Sequence, residues 1–162
     1  MKNIHKGILY VDDEPNNLAS FKAAFRKDFY IYTAESADEA KSILTKNYKE
    51  AKKDDNLFRD IKIKVIVADQ RMPNMTGIEF FESIINDYPD PIRLLVTGYS
   101  DTKAAKDAIN IGKVYHYMTK PWSQENLKNV LTEAYDLYQK QHLDRKTITR
   151  YTKMVEVYRP PR

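Results

Sequence analysis

The chain has 162 residues, no cysteine and a formal net charge of +4. That length suits one self-supporting domain with an appendage, and the lack of cysteine excludes disulfides and thiolate metal sites. Nothing approaches the roughly 20 apolar residues of a membrane span, and Met1 to Lys6 lead into no apolar stretch long enough for a signal peptide, so a soluble cytoplasmic protein without membrane contact is expected.

The predicted elements alternate. Ile8-Leu9-Tyr10-Val11 is a short apolar run ending in Asp12-Asp13-Glu14-Pro15. Pro15 is suited to the first position of a helix, and Leu18, Phe21, Ala24 and Phe25 recur at helical spacing. Phe29 to Thr33 is rich in aromatic and β-branched residues and reads as a strand. Ser36 with Glu39 forms a capping box that opens a helix through Ala40, Ile43 and Leu44. Ile63 to Ala68 is a third strand that stops at Asp69.

The second half repeats the scheme. A loop from Gln70 to Thr76 leads into a helix carrying Ile78, Phe80, Phe81, Ile84 and Ile85. Ile92 to Val96 is a fourth strand ending at Thr97-Gly98. Ser100 or Asp101 is expected to cap a helix from Thr102 to Ile111, with Gly112 as its stop. Val114 to Met118 is the fifth strand, followed by Lys120-Pro121-Trp122, and Ser123 opens a last helix with Leu127, Val130, Leu131 and Ala134. Five β-α units imply an α/β fold with a doubly wound parallel sheet, and the expected strand order is the flavodoxin-like 2-1-3-4-5.

In such a sheet, Asp12, Asp13, Asp69, Thr97 and Lys120 all fall where strands end at one edge. Three carboxylates, a hydroxyl and an ammonium there suit a divalent cation and a phosphoryl group. Singly, each residue has an ordinary reading: Asp12 and Asp13 as helix caps, Thr97 as a strand residue, Lys120 as a surface lysine. His5, His116 and His142 lack metal-ligand spacing.

The motifs Val11-Asp12-Asp13-Glu14, Asp69-Gln70-Arg71-Met72-Pro73-Asn74-Met75-Thr76-Gly77, Leu95-Val96-Thr97-Gly98 and Tyr117-Met118-Thr119-Lys120-Pro121 occur in the order seen in bacterial two-component response regulators. The chain resembles their receiver domain from residue 5 to about 138. The resemblance implies that Asp69 is the phosphoacceptor, taking a phosphoryl group from a histidine kinase or phosphotransfer protein. It implies Mg²⁺ held by Asp13, Asp69 and the backbone carbonyl of Arg71, with Asp12 acting through water. Thr97 and Lys120 would bind phosphoryl oxygens. Thr97 and Tyr117 would form the switch, coupled to the face made by the fourth helix, fifth strand and fifth helix. A cis bond before Pro121 also belongs to the resemblance. Arg71 and Gly98 occupy positions that tune access to the phosphoryl group.

Two stretches depart from the pattern. Lys46 to Lys62 is long for a helix-to-strand connection and reads as an extended second helix plus a mobile loop. Residues 140–162 carry seven Lys/Arg against Asp144 and Glu156, so the basicity belongs to the tail. An acidic partner or nucleic acid would suit that charge, but a solvated helix face is the simpler reading. Leu127, Val130, Ala134, Leu137, Gln141, Asp144, Ile148, Tyr151, Val155 and Tyr158 follow one unbroken coiled-coil spacing. The domain reading is therefore a receiver over 1–138 and a helical extension over 139–162, as a dimerising coiled coil or a linker to an output domain. A helix that folds back or frays is the alternative.

Pro160-Pro161 ends the helical pattern, which leaves either a stand-alone receiver or the front of a longer regulator. Two rival functions remain. An aspartyl-phosphate phosphatase of the haloacid-dehalogenase type would place its nucleophile in an Asp-x-Asp pair after the first strand, where this chain reads Asp12-Asp13-Glu14. A pseudo-receiver would bind partners without being phosphorylated, and retention of every site residue argues against it.

Overall fold

The computed structural model describes residues 6–52 and 61–157. Five strands form one parallel sheet: β1 (Gly7–Val11), β2 (Tyr30–Ala34), β3 (Val65–Asp69), β4 (Ile92–Thr97) and β5 (His116–Thr119). Between and after them lie α1 (Pro15–Phe25), α2 (Ala37–Ala51), α3 (Gly77–Ile84), α4 (Thr102–Asn110) and α5 (Gln124–Val157). The strand order is β2-β1-β3-β4-β5, the flavodoxin-like arrangement.

Burial explains which strands sit centrally. Every residue of β1 and β3 is buried, as expected of apolar runs covered on both faces. The edge strand β2 mixes buried and exposed positions, and β5 contains no buried residue. Alternation along each strand divides the core into two layers. Ile8, Tyr10, Val65 and Val67 face α1 and α5, where Phe21, Phe25, Leu127, Leu131 and Tyr138 pack. Leu9, Val11, Ile66 and Ala68 face α2, α3 and α4, meeting Leu44, Phe80, Phe81 and Ala105.

Local chemistry sets the helix ends. Pro15 occupies the start of α1. Ser36 accepts from the Glu39 amide while the Glu39 carboxylate accepts from the Glu35 amide, which satisfies two otherwise orphaned donors. Thr76 caps α3 in the same way through the Glu79 amide. Gly112 ends α4 with φ +75°, a conformation that favours glycine.

Three local expectations change. Asp101 holds the expected N-cap position of α4 but its side chain does not cap the helix. A short 3₁₀ turn, Tyr99–Asp101, precedes α4. The Ser100 and Asp101 side chains instead receive the guanidinium of Arg71. β5 starts at His116 rather than Val114, although the Tyr115 amide already bonds the Arg93 carbonyl of β4 at 2.8 Å. β3 includes Asp69, so the acidic residue is the last residue of the strand itself. The long second helix reaches Ala51, whereas the loop expected after it falls outside the described residues, as do His5, Tyr158 and Pro160-Pro161. α5 is continuous through residue 138, with 34 residues in all.

Candidate functional site

Asp12 follows β1, and its amide bonds to the Ala34 carbonyl of β2 at 3.1 Å, which extends the sheet by one residue. The side chain is fully buried, a costly place for a carboxylate unless donors surround it. They do. Oδ2 accepts the Tyr10 hydroxyl at 2.7 Å and the Asn17 amide at 3.1 Å, while Oδ1 accepts the Glu14 backbone amide at 3.0 Å. The ordinary helix-end reading is thus partly right, since Asp12 does hold the chain entering α1. Burial first, then the hydrogen bond to Asp12, push the Tyr10 phenol far above its usual range, so it stays a donor. Asp13 is half-buried and opens toward solvent.

Asp69 reaches the same edge from β3, whose Ala68 is in register with Val11. The loop behind it is braced tightly. Buried Gln70 accepts the Ile78 amide through its side chain and the Gly77 amide through its carbonyl, both at 3.1 Å. A Cβ at Gly77 would lie 2.6 Å from the Asp69 carbonyl oxygen, so only glycine fits there. Asn74 turns the loop with φ 68°, a region asparagine tolerates well.

Lys120 arrives from the end of β5, where its amide bonds to the Thr97 carbonyl at 2.9 Å. The bond to Pro121 is cis. Lys120 Nζ lies 3.1 Å from Asp69 Oδ1 and 3.9 Å from Asp12 Oδ2. Oxygens of Asp12, Asp13 and Asp69 lie within 4.8 Å of one another. Burial is the largest influence on Asp69 and raises its carboxyl above the ordinary value; Lys120 opposes this, while Asp12 and Asp13 add to it. One ammonium beside two of three grouped carboxylates leaves a local excess of negative charge.

Hard oxygen donors at this spacing, on a half-open edge, fit a small divalent cation that keeps part of its water shell. Asp69 beside Lys120 fits a carboxylate nucleophile with a cation ready for the entering group.

The remaining site residues are placed as follows. Thr97 is fully buried at the end of β4, one residue beyond Val96, the register partner of Asp69, and its hydroxyl donates to the Gly98 carbonyl at 3.2 Å. Tyr117 is half-buried, in register with Leu95, and packs on the α2–α4 side of the sheet, opposite Met118. The Arg71 side chain reaches Asp101 Oδ2 at 2.9 Å and Ser100 Oγ at 2.8 Å, tying the loop after Asp69 to the turn after Thr97.

Sequence reasoning missed Tyr10 and Asn17, having read Tyr10 only as part of an apolar run. The signal was available for Tyr10: in a strand, residues 10 and 12 project to the same face. With Ser20, Lys120, Pro121 and Trp122, they line an open groove of about 390 Å³ beside the site.

Known proteins share this fold. The chain is 30% identical to the hydrogenase transcriptional regulatory protein HoxA of Bradyrhizobium diazoefficiens over 139 residues, covering 86% of this chain and 26% of that protein. It spans about a quarter of the length of the curated relatives it matches first. Among solved structures it resembles an adenylate cyclase of Rhodopirellula baltica, with TM-score 0.76, 28% identity, and coverage of 89% of this chain and 97% of that one. It also resembles a response regulator receiver domain of Clostridium thermocellum, with TM-score 0.71, 26% identity, and coverage of 85% and 98%. The model of the response regulator receiver domain matches residues 8–132, and the chain belongs to that family.

Proposed function

We propose that the chain is a phosphorylation-dependent switch that accepts a phosphoryl group on Asp69 from a histidine kinase or phosphotransfer protein. The observation that carries this is the Asp69 carboxylate set 3.1 Å from Lys120 and grouped with Asp12 and Asp13 within 4.8 Å. An Asp69 oxygen attacks the phosphorus of a phosphohistidine. The P–N bond breaks as the O–P bond forms, and the imidazole leaves with the bonding pair and takes up a proton.

A carboxylate attacking an anionic phosphoryl group meets charge repulsion, so positioning and electrostatics carry the transfer. Lys120 offsets charge on a phosphoryl oxygen. Thr97 turns its hydroxyl from the Gly98 carbonyl to another. Asp13, Asp69 and the Arg71 carbonyl would hold a Mg²⁺ ion, with Asp12 acting through water, and the bound ion would supply further positive charge at those oxygens. Departure of the Thr97 hydroxyl frees space that Tyr117 fills by rotating inward, which alters the face made by α4, β5 and α5.

We assign residues 1–138 to the receiver and 139–162 to an extension that carries the signal outward. Within α5, Tyr138 is 2% exposed whereas Ile148 and Met154 are 65% and 71% exposed. A helical end without a partner is marginal in water, and a second copy aligned in parallel would cover that outer half. The output would reside in a further domain of a longer regulator or in a partner protein, and the setting would be the cytoplasm.

Labelling with a small phosphodonor such as acetyl phosphate tests the acceptor. Wild type takes up acid-labile phosphate to about one equivalent with Mg²⁺ present, and Asp69→Asn takes up none. Full labelling of the variant would move the nucleophile elsewhere. Turnover of a chromogenic phosphate ester would favour the phosphatase reading, and indifference to beryllofluoride the pseudo-receiver. Sedimentation tests the extension: a mass that stays monomeric at every concentration disposes of the dimer.

A further inference from the structure

We propose that the Tyr10 hydroxyl, assisted by the Asn17 amide, sets the cation preference of the site by occupying Asp12 Oδ2 and so denying the cation a two-oxygen grip on that carboxylate. The inference rests on the metal-dependent reading above and adds two residues that act through Asp12.

A carboxylate oxygen has two in-plane acceptor positions. On Asp12 Oδ2 both are taken, by Tyr10 at 2.7 Å and Asn17 at 3.1 Å, and Lys120 Nζ lies 3.9 Å from the same atom. Oδ1 spends one position on the Glu14 amide at 3.0 Å and keeps one. Hydrogen bonds to a carboxylate are short and strong when charge-assisted, and the Tyr10 contact has that length. The donor cannot swing away, because the ring is 1% exposed and stacks on Phe21 with centroids 4.2 Å apart. Asn17 is anchored in the first turn of α1, directly after Pro15 and Asn16.

With Oδ2 filled, Asp12 has only its remaining Oδ1 position to offer and cannot grip a cation with both oxygens, so Asp13 and Asp69 are the side chains with open oxygens on the site. A cation bound there keeps several waters, which suits Mg²⁺, whose shell is given up reluctantly. A carboxylate free to bind through both oxygens would suit a larger ion such as Ca²⁺, which takes six to eight oxygens. Tyr10 therefore works as a positioning residue for metal choice. The competing account makes it a core aromatic whose hydroxyl happens to find an acceptor.

Titrations of the full chain with MgCl₂ and with CaCl₂ separate the two accounts. Trp122, the only tryptophan, lines the same groove as Tyr10 and Lys120 and reports binding through its fluorescence. Tyr10→Phe keeps the stacked ring and frees Oδ2. Its Ca²⁺ affinity rises relative to Mg²⁺ so that the preference for Mg²⁺ falls about tenfold, the size of effect typical of groups that orient a metal ligand. Asn17→Ala, at a half-exposed helical position, shifts the preference in the same direction by less. An unchanged ratio in Tyr10→Phe, or equal loss of both ions, overturns the inference. Absence of any divalent binding by the wild type removes the metal reading itself and this inference with it.

Discussion

At the carboxyl edge of the sheet Lys120 lies beside two of three grouped carboxylates, whereas at the amino edge Lys6 and Lys64 lie against tyrosine rings of α5, as Lys62 does against Tyr48 of α2. Lys120 Nζ sits 3.1 Å from Asp69 and its side chain is 34% exposed. Lys64, just before β3, is only 8% exposed, with Nζ 5.2 Å from the Tyr135 ring and 5.8 Å from the Tyr138 ring. Lys6, just before β1, lies 4.9 Å from the Tyr135 ring. Cation–π contacts and buried aromatic area fasten α5 to the amino edge. The carboxyl edge keeps an unbalanced negative charge that a cation and a phosphoryl group can use. One edge is arranged for stability and the other for chemistry.

Variants at the two edges should therefore fail differently. The largest effect belongs to Lys120→Met. Loss of the ammonium beside Asp69 should slow phosphorylation by about a thousandfold, the scale of one missing electrostatic stabiliser. Mg²⁺ affinity should rise at the same time, because the carboxylates lose their competing cation. Unchanged labelling kinetics would take Lys120 out of the transfer.

Asp13→Ala comes next. If Asp13 is a direct ligand as proposed, Mg²⁺ affinity by tryptophan fluorescence should fall by more than about tenfold, the lower end for groups outside direct contact. An unaltered titration would show that the cation sits elsewhere. At the other edge, Tyr138→Ala should cost about 3 kcal/mol of unfolding free energy, as for a large buried ring. Mg²⁺ affinity should stay as in wild type; a parallel loss at both edges would mean that they are coupled.

The smallest effect is a pH dependence. The Asp69 carboxyl is raised by folding, so the folded state binds more protons than the unfolded state between the ordinary carboxylate value and the raised one. Stability then falls as pH rises through that window, and the penalty is complete above it. Metal-free Asp69→Asn should melt a few degrees above wild type at neutral pH, with the gap closing near pH ~4 as the wild-type carboxyl protonates. A gap that does not depend on pH would assign it to packing.

Much of this was legible in the chain because it is written in short-range pattern. Buried strands between helices appear as apolar runs, and their ends fall at one edge of a parallel sheet by topology alone. Asp12, Asp13, Asp69 and Lys120 could thus be grouped in advance, and all four meet. Pairings that cross the fold were not legible. Nothing in the spacing of Arg71 and Asp101, thirty residues apart, announces that the guanidinium would take the residues expected to cap α4. The contact of Lys64 with Tyr135 and Tyr138 depends equally on where α5 crosses β3.

The order of strands, the edge that holds the site and the identity of its charged groups follow from the linear sequence, since periodicity and loop chemistry act over a few residues. Tertiary packing decided how the local donors Tyr10, Glu14 and Asn17 combine with Lys120, which reaches both Asp12 and Asp69 from the far end of β5. Hydrogen bonds have a finite capacity at each oxygen, and which donors fill it is known only once the elements are in contact.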